Sequence, residues 1–472
     1  MELICSVRTI KLTLQWSANW RFTIAPRKHN KPSARYVLGR AGAPPHVVAH
    51  HRRGVALRFA NFRARGVGAI AAFLAVLGPG LLAGLSDDDP AGITTYSVLG
   101  ADHGYRLLWI IPSSTLLLIQ FHLMAVRLGA ASGKGFVGVI RDHWGRGWGY
   151  LAVLGLLFAN FGTICAEYAG ISAAASLVGI PPWLSAPIAA ILISLVVVLG
   201  SFHRVERVLL VISCALALYI IDGVLAEPDW SLVWHNSIVP HMPLNELGWI
   251  AIAATLGTTL APWGLAFIQS YAVDKKLSLA SLRWERVDVV IGSLLTGIIG
   301  LAIAVACAAT LHRSGVHIAD ASDAAAALRP LAGSFAMVLF GTGLLGASLL
   351  AAAIVPLATA YSIAEGIGSP ASLDLDSRHF QYFYAAFIGL TIAAASVVAL
   401  PGLPLIPLIY SSQVVNAVML PLHVVALQLL VCNPAVMDNA RSGRASMIFG
   451  WISIALISAC VGALAWSWIG SF

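Results

Sequence analysis

The sequence predicts an all-α polytopic membrane protein of about eleven spanning helices. Three observations predict it. The 472 residues are 58% hydrophobic and 11% charged, whereas a soluble domain carries about 25% charged residues. Mean hydropathy is +0.83. Runs of about 20 apolar residues, long enough to cross the hydrocarbon core as helices, recur along the chain. Six scattered cysteines (Cys5, Cys165, Cys214, Cys307, Cys432, Cys460) form no C-x-x-C pair and no disulfide framework, so they read as small packing residues. Nothing in the pattern marks a separate soluble domain.

In chain order, residues 1–66 come first, with 13 Lys and Arg against a single acid, Glu2. Such a tail has the composition of a nucleic-acid or anionic-lipid binder. It reads here as a disordered cytoplasmic extension, and no nucleic-acid partner is expected. No apolar stretch of signal-peptide length follows its first basic residues. Spanning segments are expected at 67–100 (broken), 104–126, 148–178, 183–201, 206–226, 248–272 (broken), 287–311, 332–363, 380–399, 404–431 and 446–469. Placing the N-terminus inside puts 26 of the 29 Lys and Arg on the cytoplasmic side, leaving Arg106, Arg313 and Arg329 outside. An odd number of spans then puts the C-terminus outside. The sequence says nothing of oligomeric state.

The first segment holds the strongest local signal. Leu77–Tyr105 carries Asp87, Asp88, Asp89, Pro90 and Gly92 at its centre. One aspartate at mid-membrane costs about 2.5–3.5 kcal/mol, so three facing lipid would cost about 8–10 kcal/mol. The stretch therefore faces protein or water. Pro90 has no amide hydrogen, and Gly80, Gly84 and Gly92 tolerate irregular backbone, so the helix is expected to break there. Broken helices with carboxylates at the break are how membrane proteins build ion sites. The sixth segment repeats the pattern in LGTTLAPWGLAFIQSYAVDK (Leu256–Lys275), where Pro262 with Gly257 and Gly264 predicts a second break. Five segments separate the breaks, so the two broken helices run in opposite directions. That is the footprint of an inverted five-plus-five repeat: about 67–226, about 248–431, and one extra helix at 446–469.

Several stretches resemble the NRAMP family of divalent metal transporters. L-G-P-G (Leu77–Gly80) followed by D-P-A-G (Asp89–Gly92) is similar to the family's first helix. G-Y-R-L-L-W (Gly104–Trp109) and Gln120–Lys134 resemble its second helix and the turn after it. A-E-Y-A-G-I-S-A-A (Ala166–Ala174) resembles its third, L-A-P-W (Leu260–Trp263) its sixth, and S-Q-V-V (Ser412–Val415) with Leu420 and Pro421 its tenth. The resemblance covers about 67–470. It implies a LeuT-type fold, a divalent metal ion as cargo, no cofactor, no enzymatic activity, and a place in the bacterial inner membrane.

The resemblance also implies a site. Asp89 matches the metal-binding aspartate, and Asp88 stands beside it. Gly92 stands where the family has a ligand asparagine, and Ala261 where it has a ligand methionine. Thr258 matches the position that offers a backbone carbonyl, and Gln413 a tenth-helix glutamine near the metal. Losing the thioether and the amide leaves a roomier, all-oxygen site. Soft sulfur favours manganese and iron, whereas magnesium keeps its waters and takes one or two carboxylates. Magnesium, with manganese also carried, is the expected cargo, as in the NRAMP-related magnesium transporters.

Trp263 replaces a histidine of the proton-coupled members, and the ninth segment holds no arginine. Ile164 stands where one third-helix acid would be, and Glu167 matches the other and is the proton-pathway candidate. A divalent ion gains about 4.6 kcal/mol per 100 mV, so uncoupled uptake needs no proton. The rival readings are a proton-coupled manganese or iron symporter and an organic-cation or amino-acid transporter on the same fold. His122 and His423 read as packed rather than ligating, and Asp222 as interfacial. Asn416 and Gln413 read as able to bond across helices without touching metal.

Overall fold

The computed structural model describes residues 89–198, 218–242, 245–274, 277, 279, 282–327, 333–369 and 380–470. The basic extension and the first segment up to residue 88, with Asp87 and Asp88, lie outside the described residues. Each of the eleven expected segments contains a described helix.

The first segment contributes α1 (Pro90–His103), which ends at Gly104, at φ 57°. Three-residue turn bonds then carry the chain to α2 (Ile110–Ser132), closed by Gly133 at φ 64°. Both glycines sit in left-handed backbone that a β-carbon would strain. This is why the second helix starts and ends about six residues later than its apolar run suggests. The loop after it holds a short helix, α3 (Phe136–Trp144), which buries Phe136, Val137 and Ile140. The third and fourth segments are α4 (Arg146–Ser176) and α5 (Pro182–Val198). The described end of the fifth is α6 (Leu218–Leu225), and a helix in the loop after it, α7 (Trp230–Ile238), is capped by Asp229.

The sixth segment is two helices, α8 (Glu246–Thr259) and α9 (Pro262–Asp274). The rest follow as α10 (Leu282–Thr310), α11 (Ala321–Ala326), α12 (Ala336–Ile367), α13 (Phe380–Val398), α14 (Leu405–Cys432), α15 (Pro434–Met437) and α16 (Arg444–Gly470). Among the described residues seven helical stretches are long and apolar enough to cross a membrane, counting α8 and α9 as one.

α4 lies along α12 and α14, α1 packs against α10, α8 and α14, and α8 against α14 and α16. In lipid there is little hydrophobic drive between helices, so close packing and interhelical hydrogen bonds hold them. Small residues supply the first: a β-carbon at Gly100 of α1 would sit 2.1 Å from the Ala304 carbonyl oxygen of α10. Buried polar pairs supply the second, such as Asn160 of α4 to Thr359 of α12 at 2.8 Å. Asp222, three residues from the end of α6, is fully buried, and it lies beside Cys307 of α10.

Candidate metal site at the helix breaks

Proline decides where both helices break. Asp89 is the N-cap of α1, in extended backbone at φ −74° and ψ 177°, with Pro90 in the first turn, where its missing N–H costs nothing. The Gly92 N–H donates to Asp89 Oδ1 at 2.7 Å. Gly92 is thus a helical residue whose amide fixes the carboxylate, not a point of irregular backbone. A carboxylate at a helix N-terminus also complements the helix dipole.

At the second break α8 stops at Thr259, and Leu260 leaves helical geometry at φ −112° and ψ 34°. The Thr258 carbonyl would accept from the amide of residue 262, but Pro262 has none. That carbonyl is left without its helical donor at the negative end of the α8 dipole. Ala261 bridges the two helices, and its carbonyl accepts from Gly264 N–H at 3.0 Å. The helix is regular through Gly257 and resumes before Gly264, so neither glycine makes the break.

The fold brings these ends together. The Tyr96 hydroxyl of α1 pairs with Thr259 Oγ1 of α8 at 2.9 Å, and Ser114 of α2 donates to the same oxygen at 3.2 Å. A β-carbon at Gly257 would lie 1.9 Å from the Gln413 carbonyl oxygen, so α8 rests directly on the α14 backbone. A β-carbon at Gly170 of α4 would lie 2.4 Å from Pro90 Cβ. One turn away on α4, Glu167 is fully buried and its carboxyl is within interaction range of Asp89. Neither Glu167 oxygen meets a donor at hydrogen-bond geometry.

Asp89, Gly92 and Glu167 therefore meet at the first break, Thr258 and Ala261 stand at the second, and Gln413 lies against α8 at Gly257. The Gln413 side chain is already engaged: its Nε2 donates to Ser412 Oγ at 2.7 Å, and its Oε1 accepts from Asn416 at 2.9 Å. Asn416 also crosses to Thr163 of α4 at 2.9 Å. Trp263 is fully buried, with its ring 6.3 Å from that of Phe267. His122 and His423 are buried; His423 Nδ1 faces the Met419 carbonyl at 2.9 Å. Among the described residues no three of His, Cys, Asp and Glu converge as a metal cage. What the breaks offer is a carboxyl pair and a carbonyl without its helical donor, all-oxygen groups suited to hard cations.

The sequence reading missed Glu365, at the other end of α12. Its carboxyl accepts from Gly138 N–H of α3 at 3.2 Å and from Ser270 Oγ of α9 at 2.7 Å. Arg141 of α3 donates to the Glu365 carbonyl oxygen at 2.8 Å. One acid thus ties the half-helix α9 to α12 and α3. An acid near the end of an apolar segment gives no sequence signal of this, because its partners lie 95 and more residues away.

Comparison with known proteins places the chain in a family and a fold. A family model described as "Natural resistance-associated macrophage protein-like" matches residues 80–467. The divalent metal cation transporter MntH of Deinococcus radiodurans is 28% identical over 440 residues, covering 90% of this chain and 97% of its own length. A crystal structure of the Eremococcus coleocola manganese transporter, bound to an aromatic bis-isothiourea compound, superposes with TM-score 0.64 at 19% identity. It covers 84% of this chain and 88% of its own. The structure of MhsT with L-phenylalanine shares the fold at TM-score 0.55 and 16% identity, covering 84% and 98%.

Proposed function

This chain belongs to the Nramp family, and from that premise we propose that it moves divalent metal cations across the membrane by alternating access. The cargo binds where the two helices break. The observation that carries this reading is the buried pair Asp89 and Glu167 at the first break, with the Thr258 carbonyl deprived of its helical donor at the second. Two carboxyls side by side away from water repel one another unless a positive partner joins them. A divalent cation is such a partner, and the negative end of the α8 dipole at the second break favours the same charge.

Gly92 and Ala261 bring no side-chain donor, so the site favours a cation that keeps part of its water shell. Magnesium fits that description, and manganese is carried with it. The names of the relatives, a divalent metal cation transporter and a manganese transporter, support the cargo class. An amino-acid cargo is disfavoured, because the N-terminus of α1, where a substrate carboxylate would dock, is filled by Asp89 itself. The Lys and Arg distribution supports a cytoplasmic N-terminus.

A second reading is favoured by one observation. Glu167 has no hydrogen-bond donor on either oxygen, and a proton can serve as the positive partner as well as a metal. The test is uptake into proteoliposomes under an inside-negative potential, with a metal-sensitive dye and a pH dye inside. Magnesium and manganese entry without acidification supports uncoupled divalent transport. Entry of manganese with acidification, and none of magnesium, moves the assignment to a proton-coupled symporter. No flux of either ion overturns both.

A further inference from the structure

A ladder of polar side chains runs along α4 from Glu167 toward the end that carries Arg146. Asn160, Thr163 and Glu167 share one face of the helix, at spacings of three and four residues, and all are buried. At a 1.5 Å rise per residue, Asn160 lies about 10 Å from Glu167 along the axis.

The hydrogen bonds orient both amides of this ladder. The Thr359 hydroxyl donates to the Val355 carbonyl at 2.9 Å, so it accepts from Asn160, which donates through Nδ2. Asn416 donates through Nδ2 to Thr163 Oγ1 and to Gln413 Oε1. The carbonyl oxygens Asn160 Oδ1 and Asn416 Oδ1 are left with no donor, while the Glu167 carboxyl lies against that of Asp89. Two buried amide oxygens, one on α4 and one on α14, are therefore unpartnered, and both are acceptors. A buried acceptor left unpaired costs about 1–3 kcal/mol, and two within two turns of a buried carboxyl pair call for a ligand rich in donors. The matching chemistry is a cation wearing its water shell, whose bound waters donate to each oxygen.

We propose that Asn160, Asn416 and Glu167 form a second cation station, inward of the Asp89 break, that takes a hydrated divalent cation leaving the first site. The station rests on the transport reading above. It shares Glu167 with the first site and differs from it in adding side-chain amide oxygens reached through water.

The experiment compares Asn160→Leu, Asn416→Leu and Asn160→Asp with the wild type, using Mn2+ as the probe. Mn2+ bound at equilibrium is read by paramagnetic resonance in detergent, and uptake is read in proteoliposomes. Each leucine variant is expected to keep the wild-type affinity, to melt slightly lower for its lost interhelical bond, and to lose about tenfold in uptake rate, the loss typical of groups acting through a metal's outer shell. Asn160→Asp is expected to bind a second Mn2+ and to release it slowly, because a buried carboxylate strengthens cation binding by at least about tenfold. Leucine variants that transport within twofold of wild type would overturn the station. So would a loss of uptake that tracks a loss of melting temperature, together with one Mn2+ per Asn160→Asp molecule. If Asp89→Asn leaves wild-type uptake intact, the transport site itself is misassigned. If Asp89→Asn abolishes uptake while the Asn160 and Asn416 variants are silent, only the station fails.

Discussion

Substituting Gly257 by alanine tests the packing of the α8 break directly. The new β-carbon would lie 1.9 Å from the Gln413 carbonyl oxygen and 2.7 Å from the Ala417 nitrogen. Both are backbone atoms of α14, so no side chain can rotate away. Ordinary contact begins near 3.4 Å, so the helices must part locally by about 1.5 Å, the difference between the two distances. Overpacking of this kind costs about 1–3 kcal/mol, partly offset by the roughly 1 kcal/mol that alanine gains over glycine in a helix. The functional cost is larger, because Thr258 is the next residue and moves with the helix. A misplacement of about 1 Å at a working site costs about 100-fold in catalysis, and a loss of at least about tenfold in Mn2+ uptake follows by the same reasoning. Gly162→Ala is the matched control: its β-carbon would meet Ser412 Cβ at 3.5 Å, an ordinary contact. The assay is initial uptake in proteoliposomes, beside a thermal melt of each variant. Wild-type uptake by Gly257→Ala, or equal losses in both variants, would refute the reasoning.

Three further outcomes follow from the same geometry. Gly170→Ala puts a β-carbon 2.4 Å from Pro90 Cβ and 2.5 Å from Ser348 Oγ; the hydroxyl can turn but the proline ring cannot, so uptake falls while α4 stays helical by circular dichroism. Glu365→Ala removes two ties, worth about 1 kcal/mol each, so the melting temperature drops and a cysteine placed on α9 reacts faster with a water-soluble thiol reagent; Glu365→Gln restores most of both. Asp142, in the loop helix α3, has its carboxyl held below the usual carboxylate range by a hydrogen bond from Lys134, joined by Arg141. A depressed folded pKa gives stability that is present above the unfolded carboxylate pKa and lost as pH falls through the folded value. Because the group is one-third exposed, the effect is small: Asp142→Asn flattens the acid limb of a melting-temperature profile slightly and leaves neutral pH nearly unchanged.

Proline makes both breaks legible in the sequence, because a missing amide hydrogen acts locally whatever the tertiary context. The glycines near the breaks are legible only as glycines. Gly92 lends its amide to Asp89, and Gly257 and Gly170 clear space for Gln413 and Pro90, roles set by residues far along the chain. Glu167 enters the site through its distance to Asp89, and no periodicity in either segment encodes that distance. The resemblance points to it where the pattern cannot. The polar face of α4 carried a signal of its own: Asn160, Thr163 and Glu167 recur at helical spacing inside an otherwise apolar run. Short amphipathic helices between spans, such as α3, are overshadowed by the long apolar segments that flank them.

The most direct measurement of the central assignment is divalent uptake by Asp89→Asn, which keeps the volume and the N-cap oxygen but removes the charge. Proteoliposomes holding this variant should fold and melt like the wild type and carry neither magnesium nor manganese. Flux at the wild-type rate, with Mn2+ still bound, would contradict the placement of the cargo at the helix breaks.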